Sequence, residues 1–95
     1  MNPPPRADLV QAVATARDRA KELLKVLEGQ GHPETARSSA LYLALVSVQK
    51  QLTKEAPHAH VIAELKQLVS LCEGRLAAIR PEVEEALRIA GVGAS

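Results

Sequence analysis

Apolar positions recur along this chain at alternating steps of three and four. Leu9, Val13, Ala16, Ala20, Leu23 and Leu27 step 4,3,4,3,4. That is the 3.5-residue seam of a helix packed against other helices. Leu41, Leu45, Val48 and Leu52 step 4,3,4, and Ile62, Leu65, Val69, Cys72, Leu76 and Ile79 step 3,4,3,4,3. The last beat continues through Val83, Ala86 and Ala90. Polar residues fill the gaps in a helical pattern, so each segment is predicted as an amphipathic helix.

Proline and glycine divide the pattern. Pro3, Pro4 and Pro5 open the chain, Gly29 and Gly31 precede Pro33, Pro57 marks a second break, and Gly91 and Gly93 come last. These marks predict a Pro-rich flexible start at 1–7, helices at 8–28, 33–55, 58–80 and 81–90, and a tail at 91–95. Asp8 suits an N-cap, Pro33 a first helical turn, and Gly29 or Gly31 a C-terminal stop. At Pro81 the third helix either kinks or ends. The acids Glu82, Glu84 and Glu85 suit the positive end of a new helix dipole, so a fresh start is favoured. Short connections imply antiparallel neighbours. The expected fold is all-α in one domain: an antiparallel up-down-up three-helix bundle with a short fourth helix or kinked extension after Pro81.

The second helix departs from this simple pattern. Residues 38–49, SSALYLALVSVQ, hold no charge, in a chain that is 24% charged. Beside the Leu41–Leu45–Val48–Leu52 seam runs another: Ser39, Tyr42, Val46, Gln49 and Thr53. It centres about 120° away around the helix, with Leu43 on its flank. A bundle helix usually turns one broad stripe inward. Two readings follow. Either the residues after Pro81 fold back over this seam, or it is a surface for a partner. The candidate partner-binding residues are Ser39, Tyr42, Leu43, Val46 and Gln49. Leu68 and Leu71 join them as apolar residues off the predicted core stripe of the third helix. Tyr fits a place that is apolar at one end and wet at the other.

Composition narrows the class. The 95 residues are 46% hydrophobic, with one Tyr and no Phe or Trp. A core of Leu, Val, Ile and Ala suits close helix packing better than a sheet. Net charge is +1, too small to steer the chain strongly toward nucleic acid or acidic lipid. One Cys excludes an internal disulfide. No run approaches the roughly 18 apolar residues of a membrane span. The opening lacks the apolar run of a secretory signal. The expected location is cytoplasmic, or nuclear in a eukaryote.

Candidate chemistry is sparse. His58 and His60 stand at i,i+2, which on a helix points them to different sides, and no neighbouring ligand completes a metal shell. A reactive phosphotransfer His would sit mid-helix rather than at a helix end. Cys72 falls in a core stripe, where a thiol acts as a small hydrophobe. The only Asp residues, Asp8 and Asp18, share the first helix. No Gly-rich phosphate loop or HExxH run is present. Neither a metal, a cofactor nor catalysis is expected. Arg17, Lys21 and Lys25 form a basic row one turn apart. Acids alternate beside it, and no aromatic is there to stack a base.

The hairpin GHPETA, residues 31–36, and the stretch LKQLVSLCEGRLAAIR, residues 65–80, resemble tetratricopeptide-like hairpins and the MIT domains of membrane-trafficking proteins. The likeness covers about residues 13–80 and rests on the Gly31-to-Ala36 spacing and on Leu65, Lys66, Val69, Arg75, Ile79 and Arg80. Pro33 stands where an aromatic is usual and Cys72 where a Tyr is usual. The resemblance implies a three-helix adaptor that holds short peptide helices in the grooves between its own.

The sequence therefore points to a non-catalytic interaction or oligomerisation module that binds a partner helix or a second copy. The alternative is a small nucleic-acid-associated protein using Arg17, Lys21 and Lys25.

Overall fold

Four α-helices account for almost all of the chain in the computed structural model, which describes residues 6–54 and 57–94. They are α1 (Arg6–Gln30), α2 (Thr35–Thr53), α3 (His58–Leu71) and α4 (Arg80–Ala94), with a 3-10 segment at Gly74–Ile79 between the last two. The expected Pro-rich opening at Pro3–Pro5, the end of the second helix at Glu55 and the terminal Ser95 lie outside the described residues. The all-α expectation holds, and no strand occurs among the described residues.

The turn after α1 follows from one glycine. Gly31 has φ +62°, a left-handed conformation that costs glycine little. Its N–H donates to the Glu28 carbonyl at 3.1 Å, and the His32 N–H donates to the Leu27 carbonyl at 2.9 Å. This pair of bonds is a Schellman motif, which satisfies carbonyls that a helix end leaves open. Gly31, not Gly29, is thus the stop. Pro33 sits in the following turn, where the Thr35 hydroxyl and N–H both donate to the His32 carbonyl, at 2.7 and 3.1 Å. The second helix therefore begins two residues later than the proline suggested.

The third helix ends well before Pro81. It stops at Leu71, and the Cys72 and Glu73 N–H groups turn back to the carbonyls of Val69 and Leu71, at 3.1 and 2.9 Å. Gly74 then adopts φ +59°. The expectation of one helix over 58–80 is corrected here. The apolar beat hid the break, because Leu76 and Ile79 stay buried in the 3-10 segment, where residues three apart share a face. Pro81 needs no N–H partner in the first turn of α4, so it fits there without strain.

The helices pack in a ring: α1 on α2 and α4, and α3 on α2 and α4. Cross-helix contacts give their directions. Arg17 of α1 meets Gln49 late in α2, Gln51 of α2 meets Glu64 early in α3, and Arg19 of α1 meets Glu82 early in α4. Each helix runs opposite to its neighbours, in a rod 50 Å long and 20 by 17 Å across. The segment after the break is longer than expected and packs as a full member of the bundle. The core follows the predicted seams of α1, α2 and α4, including Leu9, Val13, Ala16 and Ala20 of α1, Leu41, Leu45 and Val48 of α2, and Val83, Ala86 and Ala90 of α4, while Leu23 of the α1 seam is half-buried. Alanines at Ala16, Ala20, Ala86 and Ala90 keep α1 and α4 slender where they face the interior.

Candidate interaction face on the second helix

The inner stripe of α2 is as the periodicity predicts: Leu41, Leu45, Val48 and Leu52 are buried. Ser38 joins them at full burial, and its hydroxyl oxygen has no hydrogen-bond partner among the described residues. The other side of the helix is the unusual one. Leu43 is 60% exposed, the most open of the large apolar residues described. Ser39, Tyr42, Val46 and Gln49 are half-buried along the flank that meets α1. Tyr42 packs its ring against the core. Ala36, Ala40 and Ser47 complete the outward side and are exposed.

Gln49 is held in place from α1. Its side-chain oxygen accepts from Arg17 Nη1 at 2.6 Å, while Arg17 Nε and Nη2 donate to Asp18 at 3.1 and 2.8 Å. Arg17 is thereby fixed between two acceptors, which leaves Lys21 and Lys25 as the open part of the predicted basic row. On the far flank, Gln51 donates to Glu64 of α3 at 3.0 Å. The outer surface of α2 between these two polar seams holds no ion pair among the described residues.

No element among the described residues folds over it. The residues after Pro81 pack on α1 and α3, across the ring from α2. The reading in which they cover the second seam is therefore corrected. A short chain segment that leaves the 3-10 turn antiparallel to α3 enters the gap between α3 and α1, because α2 already fills the other side of each.

The candidates on the third helix fare differently. Leu68 is core, at 3% exposure, which corrects its assignment as a surface contact. The inward stripe of α3 is Val61, Leu65, Leu68 and Cys72, not Ile62, Leu65, Val69 and Cys72. The helix is rotated by roughly 50° from expectation, because it must face both α2 and α4. Ile62 and Val69 are consequently half-buried at its edges. Leu71 is also half-buried and packs on the core, so it contributes little free surface.

One tie had no signal in the sequence. Glu34, just before α2, accepts from the Arg75 N–H at 3.1 Å and lies within 3.6 Å of Arg37. Its carboxylate satisfies a free N–H at the start of the 3-10 segment and ties the α1–α2 turn to the α3–α4 turn. Its N–H donates to His32 Nδ1 at 3.1 Å. The Cys72 thiol is buried and donates to the Leu68 carbonyl at 3.2 Å. Burial pushes its pKa up, Arg80 nearby pulls it down and Glu84 adds to the rise. Such a thiol is a poor nucleophile.

A hollow of about 240 Å³ between α1 and α4 is lined by Ala12, Thr15, Pro81, Glu82 and Glu85. Glu82 is committed to Arg19, with Oε1 at 2.8 Å from Nε. No group of three or more His, Cys, Asp or Glu that could hold a metal ion occurs among the described residues. Among them no helix is long and apolar enough to cross a membrane. No protein-family model, curated protein or solved structure matches the chain.

Proposed function

We propose that this protein is a non-catalytic docking module of the cytoplasm that receives a partner helix on the outer side of α2. The observation that carries this reading is the exposed Leu43, 60% open to solvent within a stretch, 38–49, that holds no charge. Ser39, Tyr42, Val46 and Gln49 border it. A helical partner would offer apolar anchors at i, i+3, i+4 and i+7 to such a face. Tyr42, packed at one end and open at the other, is suited to the rim of the contact. Leu71 on α3 is not required. The resemblance to MIT and tetratricopeptide-like hairpins favours the same class, although the stretch that carries it, residues 65–80, is divided at Gly74.

The test is an amide-shift titration of the labelled chain with an amphipathic helical peptide. The peptide carries Leu at i, i+3, i+4 and i+7 and Gln on its flanks. Docking predicts shifts concentrated at Ser39, Tyr42, Leu43, Val46 and Gln49. The absence of shifts there contradicts the reading. Shifts at Lys21 and Lys25 on adding duplex DNA, weakening steeply with salt, would favour the nucleic-acid alternative instead.

A further inference from the structure

We infer that the helix received by α2 is acidic on its flanks, so that its carboxylates meet Lys21, Lys25 and Lys50. This inference rests on the docking reading and names its partner class. The charges on α2 are one-sided, and the acid on its far flank, Glu64, is half-buried and bonded to Gln51. α2 itself carries Arg37 and Lys50 and no acid over Thr35–Thr53. Lys50 lies one helical turn from Val46 and two from Leu43, on the outward side.

Arg17 marks the edge of α1 that meets α2, since it reaches Gln49. Lys21 and Lys25 follow it at i+4 and i+8, and so continue along that edge and outward. All three lysines are exposed. Arg17, Arg19, Arg37, Arg80 and Arg88 each face a carboxylate within 4 Å, whereas Lys21, Lys25 and Lys50 face none among the described residues. Asp18 is already taken by Arg17. Glu28 stands at the turn end of the edge, beyond Lys25. The face is thus an apolar centre with an unanswered cationic rim.

The same charges argue against a second copy. In an antiparallel pair of α2 helices centred on Leu43, Lys50 of one would fall opposite Ala36 and beside Arg37 of the other. In a parallel pair, Lys50 would meet Lys50. Neither arrangement supplies an acid from α2, and like charges brought together oppose association. A foreign helix with Glu or Asp flanking its apolar seam answers both features at once.

Three peptides with one Leu seam and Glu, Gln or Lys flanks test this by fluorescence anisotropy at low and high salt. The Glu peptide is expected to bind about tenfold tighter than the Gln peptide, the sum of several exposed ion pairs. The Lys peptide should bind weakest, and the differences should shrink in high salt. A combined Lys21→Gln, Lys25→Gln and Lys50→Gln variant should keep its affinity for the Gln peptide and lose the preference for Glu. Equal binding of the Glu and Gln peptides would overturn the acidic partner while leaving docking intact. Binding of none would overturn both. A dimer in sedimentation velocity that no peptide dissociates would assign the face to a second copy. Stronger binding of a short duplex DNA than of the Glu peptide, through the same lysines, would assign it to nucleic acid.

Discussion

α2 and α4 stand across the ring from one another and treat their outer sides in opposite ways. Both bury a clean stripe: Leu41, Leu45, Val48 and Leu52 in α2, and Val83, Ala86 and Ala90 in α4. Outside, α4 carries charged residues that pair within the helix. Arg88 donates to Glu85, and Arg80 lies 3.6 Å from Glu84. Glu85 is held below the usual carboxylate range, first by its hydrogen bond from Arg88. α2 shows Ala36, Ala40, Leu43 and Ser47 to the outside. Arg37, Lys50 and Thr53 are exposed toward its ends, and Leu43, at 60% exposure, contributes little to the packing of the bundle.

The largest effect expected from this contrast separates the two sides of α2. Leu45→Ala should cost about 2–5 kcal/mol of unfolding free energy. Leu43→Ala should stay within about 0.5 kcal/mol. Urea titration of both variants checks it, and similar losses would mean that Leu43 is core.

Next comes the entry to α4. A Cβ at Gly74 would meet the Glu34 carboxylate, and the residue has φ +59°. Gly74→Ala should destabilise by about 1–3 kcal/mol. The partner variant Glu34→Ala should be less costly than Gly74→Ala and should weaken protection of the Arg75 amide in hydrogen exchange.

A smaller change is expected at Ser38, the one buried polar side chain described in the α2 stripe. Its hydroxyl has no partner among the described residues, so Ser38→Ala should stabilise by about 1 kcal/mol, read from the thermal or urea midpoint. A loss instead would mean that the hydroxyl is bonded in solution.

The smallest effect is in pH. Burial raises the Cys72 pKa in the folded chain. Below the range of an unfolded thiol, both states are protonated and stability is unaffected. Above about pH 8.5 the unfolded chain loses this proton first, so stability falls as pH rises. Cys72→Ala should flatten that part of the stability–pH curve.

Legibility in the sequence followed the same divide. The α1 stripe could be read because its apolar seam lies between charged positions, and the α2 stripe because Leu41, Leu45, Val48 and Leu52 recur at 4,3,4. The uncharged exterior of α2 was visible for the complementary reason: twelve residues without charge leave no solvated side. The phase of α3 was not legible. Val61 and Leu68 compete with Ile62 and Val69 for the interior, all are aliphatic, and only the positions of α2 and α4 decide between them. The break at Gly74 was concealed by the unbroken beat from Cys72 through Leu76 to Val83, while Pro81 drew the boundary to itself. The Glu34–Arg75 bond joins residues 41 apart, a separation that no local pattern reports.

The central claim is that the outer side of α2 is a docking surface rather than core, and Leu43→Glu addresses it in a single variant. The measurement is its affinity for the Glu-flanked peptide beside its urea midpoint. The account predicts a midpoint close to that of the unaltered chain and loss of peptide binding. A collapsed midpoint, or binding that survives the change, would contradict it.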